Sequence, residues 1–586
     1  MTRKTNVQQK LAGNAVSGMT ATAIYLVTRL LLTPYILHYL SLAEFGLWSL
    51  CFIILSYASM GGFGVNSTYI RYTALYHSRS SDIDISRLLS TGITYMLCFS
   101  LLFCGLLLLI MPLVLEAFHI EKARQALASM IFLGTAAVFS LELTLGGFRF
   151  IINGMHEIAR EKKTTTIAGL IEIGFIVTFL YLGAGIKGLL YAYALRVVIE
   201  TISFWKIAHS LLPTLSISRK MISREHFRLF FVFGGKVQVL GAMGIFVTAL
   251  DRMFITALAG LSAGGMLELG RKLPFTAKKV AESAFGPFLP TAAHLDIGWE
   301  KETVNPPGKR AMTYLHITAI MLCIALIPVV FFPFISTRLP FSEIMIALLL
   351  AGAAISLAYL LNRNRQDDEQ LKKGELRRLY LNGLRYTNMI SVTLFAFLIA
   401  IAHPLIMAWV GPEYRDASII MIFLSIAYVF QLSTGPANLI FRGIDRNGKE
   451  LEYTLVQLTL LLCWIPSATI AYGLKGSAAA IACSSAVSTI FLFWRSNYTF
   501  QISFGEFAKH TLVPALAPVL PAIATHGIAG LIPGTGRIAA IMQVGICGIG
   551  YSLMVFLLMW KAVLGTAEKT KVLELTPFFR KKEPSC

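Results

Sequence analysis

Apolar runs of about twenty residues recur along the whole chain between short polar stretches, matching the length an α-helix needs to cross the hydrocarbon core of a bilayer. The pattern predicts spans at 11–37, 44–66, 88–115, 127–153, 165–185, 187–211, 228–258, 264–292, 311–335, 343–361, 384–410, 417–441, 453–473, 475–494, 510–531 and 538–560, sixteen in all. An even number puts both ends on one side. The longest polar stretches, Ser67–Arg87, Asn362–Arg385 and Leu564–Cys586, are too short to bury a core of their own. Function must therefore reside in the membrane part. The first run is too long for a signal-peptide core and lacks a small-residue cleavage site, so it reads as a retained helix.

Composition agrees: 56% of the residues are hydrophobic, 14% are charged, and the mean hydropathy is +0.68. With the N-terminus in the cytoplasm, the inner loops and tails hold 34 of the 51 Lys and Arg residues, the outer loops 7 and the spans 10. This asymmetry predicts a multi-pass protein of the cytoplasmic (inner) membrane with both termini cytoplasmic. The net charge of +20 has no basic soluble module to carry it, so nucleic acid is not expected as a partner. Seven of the eight cysteines lie in apolar runs and no CxxC occurs, which predicts neither a metal site nor a disulfide framework.

One span is unusual. The stretch "LELGRKLPFTAKKVAESAFGPFLP", 267–290, carries four cations and two anions in an otherwise apolar run. At 100° per residue, Glu268, Arg271, Lys272, Lys278, Lys279 and Glu282 fall within an arc of about 120°. A loop or surface helix here would flip every later span and turn the basic cluster between Arg363 and Arg385 outward, so the stretch is placed inside the membrane. Each cation facing lipid at mid-membrane would cost about 2.5–3.5 kcal/mol, so the arc must face protein or a watery cavity.

The chain also matches itself. "YILHYLSLAEFGLWSL" from Tyr35 aligns with "FITALAGLSAGGMLEL" from Phe254 at an offset of 219, pairing Leu42 with Leu261 and Gly46 with Gly265. "GIKGLLYAYALRVVIETI" from Gly185 aligns with "GLKGSAAAIACSSAVSTI" from Gly473 at 288, and Gly92 with Gly383 at 291. The 69-residue difference between the first two offsets predicts an inserted two-helix hairpin at about 295–363. The expected fold is all-α and polytopic, with two six-helix bundles related by a pseudo-two-fold along the membrane normal, the hairpin, and a C-terminal helix pair. The expected organisation is a first bundle at 1–211, a cytoplasmic linker at 212–227, a second bundle at 228–500, a final helix pair at 501–562 and a basic cytoplasmic tail at 563–586.

With "LLLTPYILHYLSLAEFGLWSL", "GVNSTYIRYTALY", "LDRMFITALAGLSAGG", "LIMAWVGPEYRDAS" and "LIFRGIDRNGK", the chain resembles the polysaccharide transporters, including Wzx-type flippases, of the multidrug, oligosaccharidyl-lipid and polysaccharide exporter superfamily. The resemblance covers nearly the whole chain except the insertion and the tail. It implies two bundles around a central cavity open alternately to each side. It also implies a polyprenyl-pyrophosphate-linked oligosaccharide as substrate, for cell-surface polysaccharide such as the O-antigen of lipopolysaccharide. Membrane lipid and a polysaccharide polymerase or glycosyltransferases would be partners.

Candidate substrate-binding cations are Arg29, Arg196, Lys236, Arg271, Lys272, Lys278 and Lys279, with Glu268 and Glu282 as supporting acids. Guanidinium forks and ammonium groups suit phosphate oxygens. Arg29 resembles the helix-1 arginine of lipid-linked glycan flippases, and Arg271 the helix-8 arginine facing it. The competing expectation is that these bases neutralise acids within the spans, Glu142, Glu172, Glu200 and Asp251 among them; Glu200 lies one turn after Arg196. Arg149 and Lys206, near inner helix ends, are expected to snorkel.

"GIDRNGKE" from Gly443 mimics a phosphate-binding loop, but Glu450 replaces the Ser or Thr that would hold magnesium and no strand precedes it. With no nucleotide, metal or nucleophile motif, neither cofactor nor enzyme activity is expected. A cation-coupled multidrug or metabolite exporter is the alternative; it should present carboxylates early in the first bundle, where helix 1 offers Arg29 and no acid. A non-transporting scaffold for glycan synthesis would leave the charged arc unexplained.

Overall fold

The computed structural model describes residues 24–282 except 25 and 63, then 285, 288, 291 and 292, and 374–569 except 445, 447, 533–535 and 567; the side chains of 233–243 and 562 are also outside it. The expected hairpin at 295–363 and most of the basic tail lie outside the described residues.

The described elements are helical. They run α1 (26–39), α2 (Leu42–Ala58), α3 (Val65–Ser78), α4 (Asp82–Ala117), α5 (Gln125–Leu145), α6 (Gly147–Gly154), α7 (Ile158–Tyr181), α8 (Gly185–Leu211), α9 (Arg224–Leu229), α10 (Gly235–Ala259) and α11 (Leu261–Glu282). There follow α12 (Gly374–Ala400), α13 (Ala402–Trp409), α14 (Ala417–Ser433), α15 (Gly435–Gly443), α16 (Gly448–Phe500), α17 (Phe504–Leu531, with a π turn at Ala508–Leu512) and α18 (Arg537–Leu558). Ten helical stretches among the described residues are long and apolar enough to cross a membrane. The protein is an all-helical, multi-pass membrane protein, as its apolar pattern predicts.

Local signals set the boundaries. Ser41 and Glu44 form a reciprocal cap at the start of α2: Ser41 Oγ accepts from the Glu44 N–H at 3.3 Å, and Glu44 Oε2 accepts from the Ser41 N–H at 2.9 Å. Gly473, at φ 59° and ψ −149°, breaks α16 into the two spans expected at 453–473 and 475–494.

Other boundaries differ from the sequence pattern. The span expected at 44–66 stops being α-helical at Ala58, and Ser67–Arg87, expected as a polar connection, is largely helical in α3 and the start of α4. Hydropathy misses α3 because it is amphipathic, burying Val65, Thr68, Tyr69 and Thr73 while exposing Ile70 and Arg71. At roughly 54 Å, α4 outreaches the hydrocarbon core. Its polar first turns hold the linker: Ser86 Oγ, Ser90 Oγ and Thr91 Oγ1 accept from the N–H groups of Ser216, Ser218 and Ser223 at 3.2, 3.3 and 3.0 Å.

The chain divides into two compact units. Among the described residues, one comprises 24–269 with 454–480, and the other 270–292, 374–453 and 481–569. In the first unit, α2 and α10 pack together and Tyr69, Leu88, Leu89, Phe148 and Phe230 form a buried core. In the second, Tyr380, Phe441 and Phe500 stack, with ring centroids 4.9 and 5.7 Å apart.

The internal repeat reappears as packing. Within the first unit, a methyl at Gly46 would overlap the Leu261 carbonyl, and one at Gly265 the Leu42 carbonyl. These four residues make up the two pairs matched at offset 219, and each glycine meets the leucine of the other pair, so α2 and α11 cross reciprocally, with glycine letting each backbone approach the other. The Tyr69 ring of the first unit fills the space beside Gly92 and Gly147; in the second unit Phe288 fills it beside Gly383, and Phe285 beside Gly435. Tyr69 and Phe288 are again 219 residues apart.

Candidate functional site

The structure gathers the sequence candidates into two separate groups. The first is built on α1, α5, α7 and α8. Arg29 of α1 donates to Glu172 of α7. The Arg196 guanidinium on α8 lies 3.5 Å from Glu172, 3.4 Å from Glu142 of α5 and 2.9 Å from Glu200, one helical turn further along α8. Glu172 thus serves both arginines. The Tyr193 hydroxyl donates to Glu142 Oε2 at 2.9 Å, and the Arg196 guanidinium lies 5.2 Å from the Tyr193 ring centroid. Both arginines sit against acids within the spans, as charges held away from water require.

Elsewhere in the first unit, Arg149, expected to snorkel, reaches the fully buried Glu161 at 2.6 Å, and Lys162 lies 3.4 Å from the same carboxylate. Lys206 is exposed. The side chain of Lys236 lies outside the described residues.

The second group is the charged arc of α11. Arg271 is buried, Lys272 half-buried and Lys279 exposed. Arg271 and Lys279 flank the Phe275 ring, 5.1 and 5.4 Å from its centroid, consistent with their positions one turn to either side. Lys278 turns inward, donating to Gln431 Oε1 of α14 at 2.6 Å and standing 4.9 Å from the Tyr428 ring centroid. Gln431 Nε2 in turn donates to Ser485 Oγ of α16 at 2.9 Å. Glu282 accepts from Lys279 at 2.7 Å and lies 3.8 Å from Lys278. Glu268, expected to support the arc, accepts from Arg252 of α10 at 3.2 Å. Arg252 comes within reach because α10 and α11 form a hairpin.

Sequence reasoning thus found the charged residues but not Gln431, Tyr428 and Phe275, whose residue types are ordinary inside apolar spans. The phosphate-loop mimic is engaged structurally: Arg442 pairs with Glu450, and Lys449 Nζ donates to Thr499 Oγ1 at 2.7 Å. Among the described residues no group of three or more His, Cys, Asp or Glu is placed to hold a metal.

No curated protein matches the chain in sequence. Solved structures share its fold. A lipid II flippase, MurJ, in an inward closed conformation superposes with a TM-score of 0.59 at 12% identity, covering 94% of this chain and 99% of its own. An inward-facing multidrug resistance MATE family transporter of the MOP superfamily gives 0.52 at 14% identity over 83% of this chain and 94% of its own. A MATE transporter of Vibrio cholerae gives 0.51 at 11% identity over 86% and 100%. In sequence, residues 11–293, or 283 of the 586 positions, match the family model described as polysaccharide biosynthesis protein. The chain is thus similar to the polysaccharide biosynthesis protein family over just under half of its length and shares the fold of a lipid II flippase and of MATE transporters.

Proposed function

We propose that the protein carries a polyprenyl-pyrophosphate-linked oligosaccharide from the inner to the outer leaflet of the cytoplasmic membrane, supplying cell-surface polysaccharide synthesis. The observation that carries this reading is the cationic face of α11, four bases against two acids on one helix. A pyrophosphate crossing a bilayer loses its water and needs charge-assisted donors in return. Arg271 offers a planar fork for phosphate oxygens, while Lys272 and the exposed Lys279 offer ammonium groups beside it. Lys278, bonded to Gln431, positions this face rather than reaching for substrate. The match of residues 11–293 to a polysaccharide biosynthesis family and the fold shared with a lipid II flippase support the same substrate class.

A deletion strain tests the reading: lipid-linked glycan should accumulate on the cytoplasmic face. The wild-type gene should relieve this, and the double variant Arg271→Gln/Lys279→Gln should not. Normal surface glycan with no accumulation would overturn the proposal. A second reading, export of organic cations, is favoured by the acid in excess among Glu142, Glu172 and Glu200 over Arg29 and Arg196. It requires the deletion strain to become sensitive to lipophilic cations while its surface glycan stays intact.

A further inference from the structure

We propose that Glu200 is a proton-binding site, the carboxyl whose protonation neutralises the cluster of Arg29, Arg196, Glu142, Glu172 and Glu200, and that this proton is exchanged during transport. The site rests on geometry alone; the exchange rests on the transport reading.

Among the described residues the cluster holds two bases and three acids, a charge of −1 with every group ionised. Glu142 and Glu172 have well-engaged carboxylates: Glu142 accepts from the Tyr193 hydroxyl and lies beside Arg196, and Glu172 takes Arg29 and Arg196. Glu200 is placed differently. Its residue is 4% exposed, Oε2 faces Arg196 at 2.9 Å, and Oε1 is enclosed without a hydrogen-bond partner. An ionised carboxylate oxygen held in that way is costly, whereas a proton on Oε1 removes the charge and brings the cluster to neutrality.

The other charged groups facing Glu200 leave this assignment intact. Arg196 on its own helix is divided among three carboxylates. Glu142 on α5 adds repulsion that favours the protonated form. Arg149 on α6 is held 2.6 Å from Glu161. The geometry favours a proton over a metal cation, because two guanidiniums stand within the cluster and no ligand set for a metal occurs among the described residues. Uptake forms one O–H bond at Oε1 and cancels one negative charge; release reverses both.

The site is tested on the full-length protein in liposomes by infrared difference spectroscopy between acidic and alkaline buffer. The wild type should show the C=O band of a protonated carboxyl that titrates. The band should vanish in Glu200→Gln, shift in Glu200→Asp and persist in Glu161→Gln, which removes a buried acid outside the cluster. A band unchanged in Glu200→Gln and Glu200→Asp overturns the site, as does its absence from the wild type. For the exchange, an imposed pH gradient should change the rate at which lipid-linked glycan crosses the liposome membrane. Glu200→Gln should lose about tenfold of that dependence while still binding the glycan. Wild-type transport that ignores a pH gradient, or follows a sodium gradient instead, overturns the exchange. Absence of wild-type transport refutes the transport reading and, with it, the exchange, while the infrared band still decides the site.

Discussion

Replacing Glu172 by Gln isolates the shared anion of the first cluster, because the amide keeps the size of the side chain and removes its charge. Glu172 is 5% exposed, and its partners Arg29 and Arg196 are 28% and 17% exposed. Taking one partner from a buried ion pair costs about 3–5 kcal/mol. Two features lower the figure here: Arg196 keeps Glu200 at 2.9 Å and Glu142 at 3.4 Å, and Arg29 has partial access to water. The expected loss is therefore about 2–3 kcal/mol, most of it from stranding the Arg29 charge. Unfolding of the detergent-solubilised protein by heat or denaturant measures it. The double variant Arg29→Gln/Glu172→Gln should recover about 1–2 kcal/mol relative to the sum of the two single losses. Glu121→Gln, which breaks an exposed pair with Arg124, should leave stability unchanged. If Glu172→Gln lies within about 0.5 kcal/mol of wild type, or the double variant loses the full sum, the cluster is not the coupled unit described here.

Three further outcomes are expected. Gly46→Leu or Gly265→Leu should each destabilise the protein by about 1–3 kcal/mol, since the reciprocal crossing of α2 and α11 has no room for a side chain; an equally stable variant would show that the helices do not meet there. Lys278→Gln should lower both stability and transport through its contacts with Gln431 and Tyr428, whereas Lys279→Gln should lower transport at unchanged stability; unfolding curves beside the glycan assay separate the two. Burial lowers the pKa of His226 in the linker below its ordinary value of 6.5, with Arg87 acting in the same direction and Asp84 and Glu225 opposing it. The folded state then binds fewer protons than the unfolded one, so stability present above pH 6.5 should be lost as pH falls below it, and His226→Phe should flatten that part of the profile.

Sequence by itself determined the membrane class, most of the span positions and the repeat, because each follows from one-dimensional regularities. A bilayer imposes a length of about twenty apolar residues, the positive-inside bias fixes expected orientation, and duplicated helices keep their small residues where backbones approach. Leu42 with Leu261 and Gly46 with Gly265 were legible as an alignment, and in the fold each glycine meets the leucine of the other pair. Sequence also located the charges in the spans, since ionised groups stand out against an apolar background. Tertiary structure alone decided which charges meet. Arg29 and Glu172 are 143 residues apart and Lys278 and Gln431 are 153 apart, and nothing local to either residue encodes the partner. The amphipathic α3 was hidden for a related reason: its buried face is defined by other helices, so hydropathy along the chain cannot distinguish it from a loop. The same distinction separates Lys278 from Lys279. Adjacent and chemically identical, they point about 100° apart on α11, and only the packing of α14 beside one of them makes it a bonded, inward group while the other stays exposed.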